Sequence, residues 1–342
     1  MSKKLILLVA GGSGGHFFPA AAVKEKFQDE YDFIFLIDER VSKIIDKKKV
    51  RYFEILPPKY STSVPLFLKN ILKIAYSCIR IVSLYFKLKP QLIIGFGGYT
   101  SVFPIIIGKI MNIKIIIHEQ NAILGKANKL LKIFANKVAI SFANTKSSPA
   151  NSVFTGMPTR RKKNYSIKIN KKVILIIGGS QGASFFSKLL LNTLSFFNKK
   201  ELRQIYVICQ CRNEDKLFVE RKLSILGVKY EITDFFSNIY QKIFMSDLII
   251  SRSGSSTLAE ISMYNKNSFL FPLRSAINNH QYLNAIQFQK ENDCLIFDER
   301  KIDYQVFSSV LKKKIFLKYK SIKSTKKRDN RINFKNLIES VI

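Results

Sequence analysis

The sequence predicts an α/β protein made of two doubly wound parallel-sheet domains facing across a cleft. Three observations carry that. Short apolar runs alternate with helical stretches along the whole chain, the pattern of parallel strands joined by crossover helices. Glycine is scarce, 15 in 342 residues, yet ten of them crowd into three short loops, each directly after an apolar run. The first and third loops lie about half a chain apart and look like counterparts, as if each opens a domain. The length also fits two domains at about 150 residues each.

Taken in order, residues 5–10 are apolar and form a first strand, too short for the ~7–15 residue core of a signal peptide and ended by Gly11. Gly11-Gly12-Ser13-Gly14-Gly15-His16 follows as a strand-to-helix turn. The second strand is 33–37, with Asp38 at its end. A long helix spans Leu66 to Lys87. The third strand, 92–94, runs into Gly95-Phe96-Gly97-Gly98-Tyr99, and 114–118 runs into His118-Glu119-Gln120-Asn121. A strand at 137–140 completes the first domain. The boundary falls near Gly156-Met157-Pro158, before a basic, polar linker at 160–172. That sets domains at 1–157 and 158–333, with the tail at about 334–342 returning to the first.

The second domain opens with 173–177 and Gly178-Gly179-Ser180-Gln181-Gly182. Strands at 205–209, 248–250 and 268–271 follow. Arg252-Ser253-Gly254-Ser255-Ser256-Thr257-Leu258-Ala259-Glu260 is a Gly/Ser loop entering a helix, and His280-Gln281 starts another helix over 280–290. The stretch 312–331 is strongly basic, and 334–342 is a short amphipathic end.

Composition excludes several classes. Hydrophobic residues are 47% and charged residues 24%, so the chain is globular rather than disordered. Cys78, Cys209, Cys211 and Cys294 have no zinc spacing and read as free thiols. No run reaches ~18 uncharged apolar residues, so no transmembrane helix is expected. Neither the first nor the third Gly loop supplies the lysine of a P-loop, and Phe17 spoils a dinucleotide fingerprint for which Asp38 would be the ribose acid. There is no D-x-D, H-E-x-x-H or G-x-S-x-G. The net charge of +33 points to an anionic partner, or to lysine drift in an AT-rich genome.

The chemistry concentrates at strand ends. His16 is the best general base, with an ordinary pKa near 6.5. His118-Glu119-Gln120-Asn121 is a polar cluster where α/β sheets meet ligands, or else a loop-holding network. The backbone N–H groups and hydroxyls around Ser255 to Ala259 suit a diphosphate at a helix start, and Glu260 suits ribose hydroxyls; Ser/Thr capping explains the same spacing. Leu66 to Lys87 mixes bulky apolar groups with Lys69, Lys73, Arg80 and Lys87 and has no acid. It suits an anionic bilayer surface, or a core helix with a solvated basic edge.

Six motifs in order, Gly11 to His16 with Pro19, Gly97-Gly98-Tyr99 with Ser101, His118 to Asn121, Gly178 to Ala183, Arg252-Ser253-Gly254 with Glu260, and His280-Gln281 with Asn284-Ala285, resemble the MurG family of glycosyltransferase family 28. The resemblance implies a GT-B fold of two Rossmann-like domains. It implies inverting, metal-independent transfer of GlcNAc from UDP-GlcNAc to the C4 hydroxyl of MurNAc in lipid I, giving lipid II and UDP. No cofactor and no nucleic acid is implied. Location would be peripheral, at the cytoplasmic face of the bacterial inner membrane, docked through Leu66 to Lys87. By motif, His16 is the proposed base. Ser13, Gly14 and Gly15 line the diphosphate side, and Asn121 holds the donor sugar. Arg160 and Ser180 contact the nucleotide, Phe236 packs by the uracil, and Ser255, Ser256, Thr257, Leu258 and Ala259 bind phosphate. Glu260 takes the ribose. His280, Gln281 and Asn284 sit by GlcNAc, and Tyr99, His118 and Glu119 face the acceptor.

The sequence departs from the family pattern at four places: Ser13 for Thr, Met157 for Asn, Asn265-Lys266-Asn267 without Gly and Pro, and His280, whose position is Gln in some members. Competing readings are another GT-B enzyme such as a UDP-GlcNAc epimerase, which needs no lipid patch, and a nucleic-acid binder, which leaves the Gly loops unexplained. An NAD dehydrogenase ranks last.

Overall fold

The computed structural model describes residues 3–43, 45, 50–56, 64–167, 169–178, 184–317 and 332–342, with backbone alone for 64–71 and 277. The chain divides into two compact units, Met1–Arg161 with Asp329–Ile342, and Lys162–Arg328.

Unit 1 runs β1 (Lys4–Val9), α1 (Gly14–Phe27), β2 (Tyr31–Ile37), α2 (Glu39–Ser42), β3 (Tyr52–Glu54), α3 (Val64–Leu88), β4 (Leu92–Gly95), α4 (Val102–Ile110), β5 (Lys114–Glu119), α5 (Lys126–Leu131), β6 (Lys137–Ile140) and β7 (Ser152–Phe154). Its seven strands lie in the order β3-β2-β1-β4-β5-β6-β7, all parallel. Because side chains alternate across a strand, each face of the sheet makes its own core. Ile6, Leu8 and Ala10 face Phe17, Ala20 and Val23 of α1. Leu7 and Val9 face Ile81 and Tyr85 of α3, Ile105 of α4 and Leu131 of α5. Central strands are therefore apolar along their middle, as in Ile6–Val9 and Ile115–Ile117, which is why their sequences read as unbroken runs.

Unit 2 runs β8 (Lys172–Ile177), α6 (Ser184–Leu194), α7 (Lys199–Arg203), β9 (Ile205–Gln210), α8 (Asn213–Ile225), β10 (Lys229–Thr233), α9 (Ile239–Met245), β11 (Leu248–Ser251), α10 (Ser255–Met263), β12 (Asn267–Leu270), α11 (His280–Gln289), β13 (Cys294–Ile296) and α12 (Tyr304–Phe316). The six-stranded sheet has the order β10-β9-β8-β11-β12-β13. One face packs on α6, α8 and α12 through Phe186, Leu190, Val219, Leu223, Phe307 and Leu311. The last helix, α13 (Phe334–Glu339), belongs to unit 1, where Phe334, Leu337 and Ile338 join the core beneath α1.

In both sheets the strand order reverses beside the opening strand, between β1 and β4 and between β8 and β11. Adjacent strands there cannot both send their connections over one face, so the loops part and leave room for a ligand at the carboxyl edge.

Candidate functional site

In unit 1 the loops after β1, β4 and β5 share one edge. Register places Val9 level with Gly95, and Gly95 level with Ile117, so the three loops leave the sheet together. Their approach is close enough to require glycine. A methyl on Gly11 would overlap the Thr100 side chain, and Gly98 has φ +75° with the Gly11 carbonyl 3.2 Å from where its Cβ would be.

His16 lies in the first turn of α1, half-buried, its ring against the bare Gly97 and Gly98 backbone. Burial holds its pKa below the ordinary imidazole value, although Glu119, the Phe96 carbonyl, Gln120 and Asp38 all pull the other way. The imidazole is thus neutral near pH 7, the form a general base needs. Ser13 precedes α1 in extended conformation and its side chain does not cap the helix. Gly15, which follows it, is exposed and Gly14 is half-exposed.

Three residues of the polar cluster after β5, His118, Glu119 and Gln120, are buried framework, and Asn121 is part-exposed. Glu119 accepts from the Asn121 N–H at 2.9 Å, the Asn121 amide at 3.1 Å, the Gly125 N–H at 2.9 Å and the Asn128 amide at 2.8 Å. His118 is wholly buried between Phe96 and Phe334, with Nε2 3.2 Å from the Ser141 hydroxyl, and burial pushes its pKa down to about 3. Neither reaches the surface, which corrects the expectation that both face the acceptor; they act through the loop they shape. Tyr99 is half exposed at the same edge and stays available. Asp38 has no room for a ribose, since its carboxylate is filled by Gly12, Arg40, Thr100 and Val41. Arg160 is exposed within unit 1, its Nε 3.9 Å from Glu25.

In unit 2 the matching edge carries the loops after β11 and β12. Ser180 lies outside the described residues. Gly254 precedes α10 in extended conformation, and no side chain caps the helix. The Ser256 hydroxyl is buried in the first turn with no hydrogen bond among the described residues. An uncapped helix start with a free hydroxyl has donors left for an anion. Ser255, Thr257, Ala259 and Glu260 are part-exposed around it, while Leu258 packs into the core.

Helix α11 clamps this loop. The Ser253 hydroxyl donates to the Gln281 carbonyl at 2.9 Å, and the Asn284 amide donates to the Ser253 carbonyl at 3.2 Å. Asn284 is wholly buried, so the expected contact with GlcNAc becomes a supporting role. Gln281 is half-buried and accepts from the Leu273 N–H at 3.0 Å; His280 is half-buried beside it. Phe236 is buried, and Phe235 next to it is the exposed ring.

Arg252 is also a tie, a role its sequence neighbourhood does not reveal. Its guanidinium sits over Phe185 and Phe186 and pairs with Glu299 at 2.7 Å. Only a stacked Arg next to a Gly/Ser loop could have signalled this, and Glu299 is too distant in sequence to be paired by eye. Among the described residues no three His, Cys, Asp or Glu side chains group as a cation would need.

Residues 6–140 match the glycosyltransferase family 28 N-terminal domain, and residues 173–341 match the glycosyltransferase family 28 C-terminal domain. A Rickettsia canadensis UDP-N-acetylglucosamine–N-acetylmuramyl-(pentapeptide) pyrophosphoryl-undecaprenol N-acetylglucosamine transferase is 37% identical over 294 residues, 82% of each chain. A protein of the same name from Rickettsia bellii is 33% identical over 358 aligned positions, covering 99% of this chain and 100% of that one. Among solved structures, Acinetobacter baumannii MurG superposes with a TM-score of 0.73 at 23% identity, over 91% of this chain and 90% of that chain. The glycotransferase of kitacinnamycin superposes at 0.69 and 11% identity, over 92% and 91%. At those identities the structures establish a shared two-domain fold.

Proposed function

The chain belongs to glycosyltransferase family 28, and on that premise we propose how its residues divide the work of the reaction. It is a UDP-sugar glycosyltransferase that moves N-acetylglucosamine from UDP-GlcNAc onto lipid I in lipid II synthesis, the reaction its relatives' names describe. Unit 2 takes the donor. Unit 1 takes the acceptor and supplies the base.

The observation that carries this reading is His16, neutral and half-buried at the carboxyl edge of the unit 1 sheet. Its imidazole takes the proton of the acceptor C4 hydroxyl as that oxygen bonds to C1 of GlcNAc. The C1–oxygen bond to the β-phosphate breaks on the opposite face, so the anomeric centre inverts and UDP leaves with the bonding pair. Charge growing on the β-phosphate meets the N–H groups at the start of α10 and the Ser256 hydroxyl, with no metal ion required. Glu260 accepts from the ribose hydroxyls, and Phe236 supports the uracil. Ser13 and Gly15 face the diphosphate, Asn121 the donor sugar, and Tyr99 the acceptor.

Docking would use the outer surface of α3, α4 and α5, which pack side by side on one face of the sheet. Leu72, Tyr76 and Ile79 of α3, Ile110 of α4, and Leu130 and Ile133 near α5 are all exposed. From residue 55 to residue 200 the only acid is Glu119, and it is buried. An apolar surface ringed only by cations matches an anionic lipid leaflet. Among the described residues no helix is long and apolar enough to cross a membrane.

The test is transfer of labelled GlcNAc to a short-chain lipid I analogue in EDTA, with His16→Ala alongside. Transfer that survives EDTA and collapses in the variant supports the reading. An active variant moves the base elsewhere. Binding of UDP-GlcNAc with no transfer sinks the acceptor assignment.

A further inference from the structure

We infer that Gln120 is a positioning residue that fixes the tautomer of His16, holding the proton on Nδ1 so that Nε2 is free to receive one. The inference rests on the reading of His16 as the base, and it concerns a residue outside the set expected to touch substrate.

The orientation of the Gln120 amide is determined by its neighbours. Gln120 is buried, and its Nε2 donates to the Phe96 carbonyl at 2.7 Å. A carbonyl accepts only from a donor, so the amide nitrogen must be the atom on that side. The amide oxygen, Oε1, therefore points the other way. It is buried there and makes no hydrogen bond among the described residues. The Nδ1 atom of His16 is buried and unpaired too, and Gln120 and the Phe96 carbonyl both lie within hydrogen-bonding reach of the His16 ring.

Each atom left unpaired in a buried site is costly. A single proton on Nδ1 settles both, since Oε1 and the second lone pair of the Phe96 carbonyl are acceptors and neither can donate. The other tautomer would place a lone pair on Nδ1 against two oxygens. The pocket thus selects one neutral imidazole, with the Nε2 lone pair on the opposite side of the ring. Gly98 lies on that side, where a Cβ would stand 3.7 Å from Nε2, so a bare backbone keeps the approach open.

The charged groups around the ring do not take over this role. Glu119 is consumed by Asn121, Gly125 and Asn128, and Asp38 by Gly12, Arg40, Thr100 and Val41. His118 is held neutral by burial and adds no charge. The neutral amide orients the imidazole and favours the imidazolium too little to offset burial, whereas a carboxylate in its place would favour it strongly.

The test compares wild type with Gln120→Leu, Gln120→Glu and His16→Ala. The readouts are kcat and donor KM across pH, and ¹⁵N NMR of the imidazoles, of which the chain has only three. With Gln120→Leu, kcat should fall about 10- to 100-fold with donor KM within about twofold, and the His16 nitrogens should shift toward a mixture of tautomers. Gln120→Glu should restore the single tautomer and move the acid limb of the profile to higher pH. If Gln120→Leu fails to fold, the near-isosteric Gln120→Glu still reads the tautomer and the limb. Unchanged kcat, limb and ¹⁵N pattern in the Gln120 variants, with His16→Ala inactive, would overturn the role of Gln120 alone. An active His16→Ala would instead remove the base assignment beneath it.

Discussion

The Thr100 hydroxyl donates to the Asp38 carboxylate at 3.0 Å across 62 positions of sequence. The same Oδ2 atom accepts from the Gly12 N–H at 2.9 Å and from Arg40 at 2.6 Å, while Oδ1 accepts from the Val41 N–H at 3.2 Å. Burial would raise the pKa of this carboxyl, but these donors outweigh it and hold the group below its usual range. One carboxylate thus ties the loops after β1, β2 and β4 into a single edge.

Thr100→Val keeps the shape and removes the hydroxyl donor. The remaining donors keep Asp38 ionised, so the loss should be about 1–3 kcal/mol of stability, read by urea unfolding at pH 7. Asp38→Ala should cost more, because it strands the Gly12 N–H and frees the β1 loop. A Thr100→Val midpoint equal to wild type would show that the shared carboxylate does not hold the edge.

The strands legible in the sequence are those in the middle of each sheet. Residues such as Ile6 to Val9 and Ile174 to Ile176 are buried on both faces, so the apolar run is unbroken. The four strands without such a run are β3, β7, β10 and β13, which are the four sheet edges. Tyr52-Phe53-Glu54 and Ser152-Val153-Phe154 are short and partly exposed, so no burial requirement shapes their composition. The site shows the same division. His16 stands out because glycines surround it where close backbone approach demands them, and the Ser256 loop because a run of small hydroxyl residues enters a helix. Asn284 and His118 look like ligands in sequence, since a buried polar residue that holds a loop and an exposed one that holds a substrate use the same amide or imidazole. Only burial and partners separate them.

The pH profile of transfer follows from the state of His16. A base works when unprotonated, and burial keeps its pKa below the ordinary 6.5. As pH falls, the decline in kcat/KM should be centred below 6.5 and reach about tenfold per unit once the ring is protonated. Initial rates at acceptor concentrations well below KM between pH 5 and 8 check this. A limb centred above 6.5 would contradict a desolvated neutral ring.

His118 makes a separate prediction for stability. Its pKa is about 3 in the folded chain against an ordinary 6.5, so between those values the unfolded chain binds a proton that the native one refuses. Its contribution is intact above pH 6.5 and is lost as pH falls toward 3, at about 1.4 kcal/mol per pH unit. His118→Phe retains a ring against Phe96 and Phe334 but has nothing to titrate. Denaturation at a series of pH values should show a flatter curve for the variant. Parallel curves would mean that His118 is not the buried neutral group.

Donor affinity should divide between the two ends of the nucleotide. Ser256→Ala removes the unpaired hydroxyl in the first turn of α10 and should weaken UDP and UDP-GlcNAc alike. Glu260→Ala should cost about tenfold or more, the scale of a hydrogen bond to a charged group, and should lose its effect against a 2′,3′-dideoxyribose analogue. Calorimetric titration with UDP checks both. Equal loss from Glu260→Ala with and without the ribose hydroxyls would place that carboxylate elsewhere.

The membrane surface separates from chemistry by design of the substrate. Ile79 and Phe86 lie on the exposed side of α3, at 68% and 67% exposure, while Ile81 and Tyr85 on the other side are in the core. Their replacement leaves the core packing intact. Ile79→Glu with Phe86→Glu exchanges apolar contact for like-charge repulsion against an anionic leaflet, where each basic residue nearby contributes only about 1 kcal/mol. Sedimentation with vesicles containing phosphatidylglycerol should show binding lost in the double variant and weakened by salt in wild type. Transfer to a detergent-soluble short-chain acceptor should stay within about twofold of wild type, since neither side chain approaches the carboxyl-edge loops that hold His16. Vesicle binding that survives the double variant would assign the contact to another surface of the molecule.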